Sequence, residues 1–365
     1  VLSGQPPADD TFEVSLFGSG IGECIAIHIG QGQWVLTDSC RQQGAAPLHL
    51  AYLRSIGVDP KQVVRIVVTH WHDDHIDGMA ETVIACVNAV VCYSSAFAID
   101  EVGQLLGLYE GRVASKPKAG VRELSLVDKE IRRRMGVDGN SSRAAKRAVA
   151  DLQLFSRGAA SGVHITAISP SDGSIQLAHE ELERLVATLL ESPQELEIVS
   201  PERNHYSVAM WVKWNQLRVL LGADLETTSD QGRGWDAALR CQVFPDGVAK
   251  IIKIAHHGSP NGDHNGVWEN IVDASPIAIL TAYNRGRTKR PSNDDIVRIK
   301  GRSPSVFATT TPSTAVPRRD NAVDREIAAI TKSRTALRTT AGHIRIRYQD
   351  GGSPEVECGG AAKQL

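Results

Sequence analysis

The run His70-x-His72-x-Asp74-His75 places three imidazoles and a carboxylate within six positions. Three of the chain's 12 histidines fall there, a density that an incidental polar loop does not explain. Imidazole and carboxylate together suit Zn²⁺, Mn²⁺ or Fe. In an extended loop His70 and His72 point the same way, because side chains alternate with period two. Asp74 and His75 then open the following helix and turn toward a second ion.

One such patch does not complete two metal sites, so further ligands are expected at other strand ends. Asp224, in Gly222-Ala223-Asp224, follows the apolar run Leu217–Leu221 and would bridge two ions. Its competing reading is a turn aspartate that caps the next segment. His256-His257-Gly258-Ser259 follows Ile251–Ala255, and Gly258 lets the backbone approach something closely. Either His256 or His257 is a candidate ligand. His205, in Asn204-His205-Tyr206-Ser207, is the candidate for the remaining imidazole, against an ordinary surface histidine. Asp38 would orient a ligating histidine as an acceptor, or else simply end its strand.

The elements that must position these residues are short strands and amphipathic helices. Phe12–Phe17 alternates as a strand. Cys24–Ile29 and Gln33–Thr37 read as a hairpin around Gly30-Gln31-Gly32. Pro47–Ile56 is helical and Gly57 stops it. Val63–Thr69 is a β-branched run suited to a strand buried on both faces, with the His/Asp cluster at its end. Ile76–Val87 reads as a helix and Ala89–Tyr93 as a strand. Residues 94–162 differ in composition, with helical patches at Ala96–Leu108 and Arg143–Phe155, and read as a helical insertion or cap. Val163–Ile168 returns to strand and Leu177–Leu190 is an amphipathic helix. Tyr206–Trp214 and Leu217–Leu221 form a hairpin turning at Asn215-Gln216. Lys250–Ala255, Ile277–Thr281, Ile296–Lys300, Ser305–Thr309 and His343–Tyr348 complete the β pattern. Two β-rich halves bracketing the insertion predict an α+β fold of sheets packed face to face with helices outside, one domain over residues 10–350.

The 365 residues are 42% hydrophobic, enough for an ordinary core, with a mean hydropathy of −0.18. Net charge is −2, from Lys+Arg 40 against Asp+Glu 42, which counts against a large nucleic-acid-coating surface but not against a local basic groove. No apolar run of about 18 residues predicts a membrane span. The six cysteines form no CxxC pair and read as free thiols of a reducing compartment, hence a cytoplasmic protein. The N-terminus does not read as a signal peptide.

Taken in order, His70-x-His72-x-Asp74-His75, Asp224 and His256-His257 resemble the metal ligands of metallo-β-lactamase-fold hydrolases. More narrowly, the chain resembles the branch containing the hydrolase domain of the DNA-uptake protein ComEC. The matching segments are Phe17-Gly18-Ser19-Gly20-Ile21-Gly22-Glu23, Trp34-Val35-Leu36-Thr37-Asp38, Asn204-x-x-Ser207, Leu221-Gly222-Ala223-Asp224 and His256-His257-Gly258-Ser259. Pro291 and Thr340-x-Gly342-x-Ile344 resemble that branch's C-terminal part. The resemblance implies an αββα sandwich with two divalent ions, Zn²⁺ or Mn²⁺, at one edge of the sheets. It implies His70, His72 and His205 on one ion, Asp74, His75 and His256 or His257 on the other, and Asp224 between.

Two such ions deprotonate water at neutral pH and stabilise charge on the oxygens of the group attacked. Asp74 and His257 are the residues expected to matter most to that chemistry. Downstream of the paired histidines, Arg285, Arg287, Lys289, Arg290, Arg298, Lys300 and Arg302 are opposed only by Asp294 and Asp295. If they line the metal edge they favour a phosphorylated substrate, with Ser259, Arg285, Arg287, Lys289 and Arg290 as the binding set. Arg132-Arg133-Arg134, in the insertion, reads better as a solvated face. Aromatic content of 5% does not indicate a base-stacking platform. The expected activity is phosphoester cleavage, on a nucleic acid or a phosphorylated small molecule. The alternatives are hydrolysis of a lactone, thioester or β-lactam, and a metal-bound binding protein without turnover.

Overall fold

The computed structural model describes residues 1–42, 44–97, 119–138, 145–158, 162–191, 204–285, 289–310 and 341–365. The chain first lays down β1 (Thr11–Gly18), β2 (Glu23–Ile29), β3 (Trp34–Thr37), β4 (Val63–Val68), β5 (Val90–Ser94) and β6 (Ala145–Ala148). It continues with β7 (Gln153–Arg157), β8 (Val163–Ala167), β9 (Met210–Trp214), β10 (Leu217–Leu221), β11 (Ala249–Lys253), β12 (Val272–Leu280) and β13 (Ser305–Ala308). Then β14 (Gly342–Gln349), β15 (Glu355–Gly360) and β16 (Lys363–Gln364) close both sheets. The first sheet has the order β15-β14-β1-β2-β3-β4-β5-β6, and the second β16-β13-β12-β11-β10-β9-β8-β7.

Alternation drives the layering. Phe12, Val14 and Leu16 of β1 meet Met210, Val212 and Trp214 of β9 and Leu217, Val219 and Leu221 of β10 in the core between the sheets. Trp211, Leu220 and Ile252 face the opposite side of the second sheet. Each such buried aliphatic or aromatic side chain contributes about 1.5–3 kcal/mol. Helices cover the outer faces. The first sheet carries α1 (Leu48–Ser55), α2 (Asp73–Ile76), α3 (Met79–Ala85), α4 (Ala119–Asp138) and α5 (Asp172–Glu191). The second carries α6 (Gly234–Ala238), α7 (Asn265–Asn270) and α8 (Asn293–Lys300). This is the expected four-layer αββα sandwich.

Three sequence-based expectations change. The helix read over Ile76–Val87 is broken at Asp77-Gly78, where Gly78 takes φ +89°, so α2 and α3 are separate. The described part of the patch Arg143–Phe155, from Ala145 on, is not helical: β6 extends the first sheet and β7 the second, so the two sheets claim the end of the supposed insertion. Ile296–Lys300 lies in α8, where a reciprocal Ser292/Asp295 cap starts a helix. Most of the patch Ala96–Leu108 lies outside the described residues. The insertion does contribute α4, and Arg134 within it is buried, its guanidinium donating to Ala89 O at 2.9 Å and to Val83 O at the end of α3. Arg132 and Arg133, in contrast, are exposed and pair with Asp128 and Glu130 on their own helix.

Parallel pairing decides where the site falls. β3, β4 and β5 run parallel, as do β10, β11 and β12. Their carboxyl ends therefore lie along one edge, the place where open sheets gather ligand-binding loops. All the cysteines are free, and only Cys358 is exposed. Among the described residues no helix is long and apolar enough to cross a membrane.

Candidate metal centre

Four strand ends supply the site. The His70–His75 loop leaves β4, Asp224 follows β10, His257 follows β11 and Thr281 follows β12. The backbone there is strained: Asp38, Ala223, His256 and His257 all take positive φ, at 54°, 44°, 46° and 52°. Such conformations cost about 1–3 kcal/mol each and persist where the surroundings require them, commonly at functional sites.

The buried polar atoms orient the imidazoles. Asp38 accepts from Thr69 N–H (2.8 Å), from Thr69 Oγ1 (2.8 Å) and from His75 Nδ1 (2.7 Å). Because the Thr69 hydroxyl proton goes to Asp38, its oxygen accepts from His70 Nδ1 at 2.9 Å. Thr281 Oγ1 likewise donates to Glu23 Oε2 (2.5 Å) and accepts from His257 Nδ1 (3.0 Å). In their neutral form all three rings thus carry their proton on Nδ1 and leave a lone pair on Nε2.

Those lone pairs converge on carboxylate oxygens. Asp224 Oδ2 lies 3.3 Å from His75 Nε2, 3.6 Å from His257 Nε2 and 4.0 Å from His70 Nε2. Asp74 Oδ2 lies 3.2 Å from His257 Nε2 and 3.6 Å from His75 Nε2. Acceptors facing acceptors in a buried space repel one another unless a cation or a proton lies between them. His70 Nε2 and His75 Nε2 are buried with no hydrogen-bond partner among the described residues. The donor set therefore fits divalent metal, and Asp224 Oδ2 faces all three Nε2 atoms.

Electrostatics agree. Burial disfavours a charged His75, yet the carboxylates of Asp224, Asp74, Glu23 and Asp38 outweigh it and hold its pKa well above the ordinary value. Burial, reinforced by His75 and His72, drives the pKa of His70 well below it. Asp224 stays ionised against the cost of burial because His75 and His257 face it.

Glu23 groups with His75, Asp224 and His257, and Asp38 with His70 and His75. Both of these carboxylates approach the imidazoles from the Nδ1 side: Glu23 lies 3.9 Å from His75 Nδ1 and 3.7 Å from His257 Nδ1. They orient the ring ligands, whereas Asp74 and Asp224 face the Nε2 side.

His72 packs edge-on against His70, with ring centroids 4.7 Å apart. His205 is buried on the segment beside the His70 loop, where Val208 N–H donates to Thr69 O at 3.1 Å. His256 turns away from the cluster: its Nδ1 lies 3.1 Å from Glu226 Oε1 and its Nε2 3.3 Å from Asn204 Nδ2. Of the paired histidines, His257 therefore faces the cluster. Ser259 Oγ donates to Asn261, whose amide donates to Glu226 Oε1 at 2.9 Å, so it braces the rim. Arg290 is spent on Asp295 at 2.7 Å. Arg298 is divided among Asp295 (2.8 Å), Asp263 (3.1 Å) and Gly258 O (2.5 Å) and steadies the turn after His257. Arg285 is 60% exposed at the rim, 3.6 Å from Asp73. Lys289 lies near it in sequence, and Arg287 is outside the described residues. The helix α4 reaches the loop too, with Gly120 N–H donating to Asp73 Oδ1 at 2.7 Å.

Sequence reasoning missed Glu23, Lys253, Glu226, Thr281 and Tyr283 as site residues. Tyr283 stacks on His257 with centroids 5.2 Å apart. Lys253 had a legible signal, a lone charge inside the apolar run Ile251–Ile254 that must find a buried partner.

The two-sheet sandwich with this edge cluster is the metallo-β-lactamase fold. Residues 18–131, which include Glu23, Asp38 and the whole His70–His75 loop, match the model of the metallo-beta-lactamase superfamily. Similar solved structures include the metallo-beta-lactamase fold protein YhfI from Bacillus subtilis, at 12% identity and TM-score 0.38 over 83% of this chain and 97% of that one. The Rm3 metallo-beta-lactamase is similar at 16% identity and TM-score 0.36, over 73% of this chain and 82% of that one. A metallo-beta-lactamase from Cronobacter sakazakii is similar at 14% identity and TM-score 0.34, over 68% and 77%. No curated protein matches the sequence.

Proposed function

We propose that this protein is a dinuclear metal-dependent hydrolase of phosphoesters, a nuclease or phosphodiesterase of the ComEC-like branch. The observation that carries the reading is the convergence of His70, His75 and His257 Nε2 on Asp224 Oδ2, with Asp74 Oδ2 beside them. His70, His72 and His205 would hold one ion, Asp74, His75 and His257 the other, and Asp224 would bridge. Two divalent ions held there would supply the Lewis acidity needed to activate water and offset charge on a phosphoryl group. The protein's own residues do the rest. Asp38, Thr69, Glu23 and Thr281 keep the imidazoles in their ligating tautomers. Tyr283 covers one face of His257. The exposed guanidinium of Arg285 is available at the rim for a phosphate oxygen, and the substrate is a nucleic acid or a phosphorylated small molecule.

A specific observation keeps a second reading in play. Arg290 and Arg298 are neutralised by Asp295 and Asp263, so the rim is less basic than the sequence alone implies. That favours a less charged ester, lactone, thioester or lactam. Parallel assays on bis(p-nitrophenyl) phosphate, a chromogenic thioester and a chromogenic lactam separate the two. Phosphodiester turnover is expected, dropping at least 100-fold in Asp74→Ala, the scale at which a displaced reacting group loses rate. Turnover confined to the carbonyl substrates, and lost in the same variant, would replace the phosphoester reading with the second.

A further inference from the structure

We infer that Lys253 is a positioning residue of the metal centre, its ammonium holding Glu23 behind two imidazoles and turning Asp224 so that Oδ2 faces the ligands. Resting on the metal-binding reading above, this extends it to a residue that touches neither ion. Lys253 is fully buried at the end of β11. An ammonium withdrawn from water is strongly destabilising unless its donors are met. Here they are met by a specific set. Nζ lies 2.5 Å from Glu23 Oε1, donates to Ala223 O at 2.8 Å and lies 3.8 Å from Asp224 Oδ1.

Each partner leads to the cluster. Glu23 Oε1 lies 3.9 Å from His75 Nδ1, and Glu23 Oε2 reaches His257 through the Thr281 hydroxyl. A carboxylate behind an imidazole fixes its tautomer and raises its basicity toward metal. The Ala223 carbonyl belongs to a residue at φ 44°, the conformation that turns Asp224 inward, and His256 N–H also donates to it, at 3.0 Å. With Oδ1 of Asp224 drawn toward Lys253, Oδ2 is left toward His70, His75 and His257. One ammonium thus sets two imidazoles and the bridging carboxylate together. The register places it there, because Lys253 pairs with Leu221 of β10, three residues before Asp224.

The test is Co²⁺ binding by the full chain, read by chelator competition and by the visible absorption spectrum of the bound ion. The proteins are wild type, Lys253→Met, Glu23→Gln and the double variant. Lys253→Met leaves Glu23 without its counter-charge and is the variant most prone to unfold. The double variant leaves no unpaired buried charge and keeps the test alive. Relative to wild type, Lys253→Met and the double variant should each lose about 10–100-fold in Co²⁺ affinity, with a changed spectrum. The double variant should lose much less than the product of the two single losses, because the pair acts as a unit. A folded double variant with wild-type affinity and spectrum would overturn the proposal, even if its melting temperature falls. A wild-type protein that binds no Co²⁺ would overturn the metal-binding reading and the proposal with it, a result distinct from a loss confined to the variants.

Discussion

Asp38 decides the protonation of two imidazoles at once. Its carboxylate takes the Thr69 hydroxyl proton, which leaves the hydroxyl oxygen to accept from His70 Nδ1, and it accepts directly from His75 Nδ1. In Asp38→Asn the amide oxygen can keep the Thr69 N–H, but the NH₂ group then faces His75 Nδ1. That forces the proton to Nε2, where it points at the carboxylates in place of a metal. Thr69 Oγ1, without its acceptor, turns its proton toward His70 Nδ1 and flips that ring as well. The expected outcome is a 10–100-fold loss of metal affinity by chelator competition, with about 1–3 kcal/mol of stability. Undiminished metal affinity in the Asp38→Asn variant would remove the tautomer argument. The ligand types themselves were legible in the sequence, since three histidines and a carboxylate in six positions have few other uses. Their orienting partners were not. Glu23 meets Thr281 across 258 positions, and only the closed fold brings them together.

At the scale of elements, the glycine turn before β2 now has a physical role. A Cβ on Gly22 would lie 2.7 Å from Asp74 O and 2.8 Å from Cys40 Cβ, so the bare backbone lets the metal loop settle against the first sheet. Gly22→Ala should push Asp74 outward, and its effect should fall on activity more than on folding. Overpacking of this kind costs about 1–3 kcal/mol, whereas a displacement near 1 Å at the chemistry costs about 100-fold in rate. Thermal unfolding and kcat measured on the same preparation check the split, and a full loss of stability with unchanged kcat would contradict it. The strand β1 was readable because Phe12, Val14 and Leu16 alternate with Glu13 and Ser15 at period two. The elements misread were those whose local pattern is overruled by context. β6 and β7 lie at sheet edges and are short, with Lys146, Arg147 and Arg157 breaking up the few apolar residues, Ala148, Leu154 and Phe155, that they bury. The helix α8 is declared mainly by its Ser292 cap, not by its few apolar residues.

For the whole molecule, the site joins the two sheets: His70, His75 and Asp74 hang from the first, Asp224 and His257 from the second. A metal bound there links both halves of the sandwich, and anything that binds only the folded state stabilises it by mass action, about 2.7 kcal/mol at a ligand concentration 100 times Kd. The increment should depend on pH in a definite direction. In the metal-free protein His75 has a folded pKa raised well above its ordinary value by Asp224, Asp74, Glu23 and Asp38, although burial opposes the charge. The stability from that proton is fully present below about pH 6.5, the unfolded value. It is lost as pH rises through the folded pKa, because the carboxylates then face an uncharged ring. Metal binding runs the other way, since the imidazoles must be deprotonated to ligate. The difference in melting temperature between metal-loaded and chelator-treated protein should therefore widen from pH 6 to pH 9. In Asp224→Asn, which removes the charge that the three Nε2 atoms face, the difference should shrink at every pH. A gap that stays constant with pH, or that survives unchanged in Asp224→Asn, would mean that the metal acts elsewhere than at the edge where the two sheets meet.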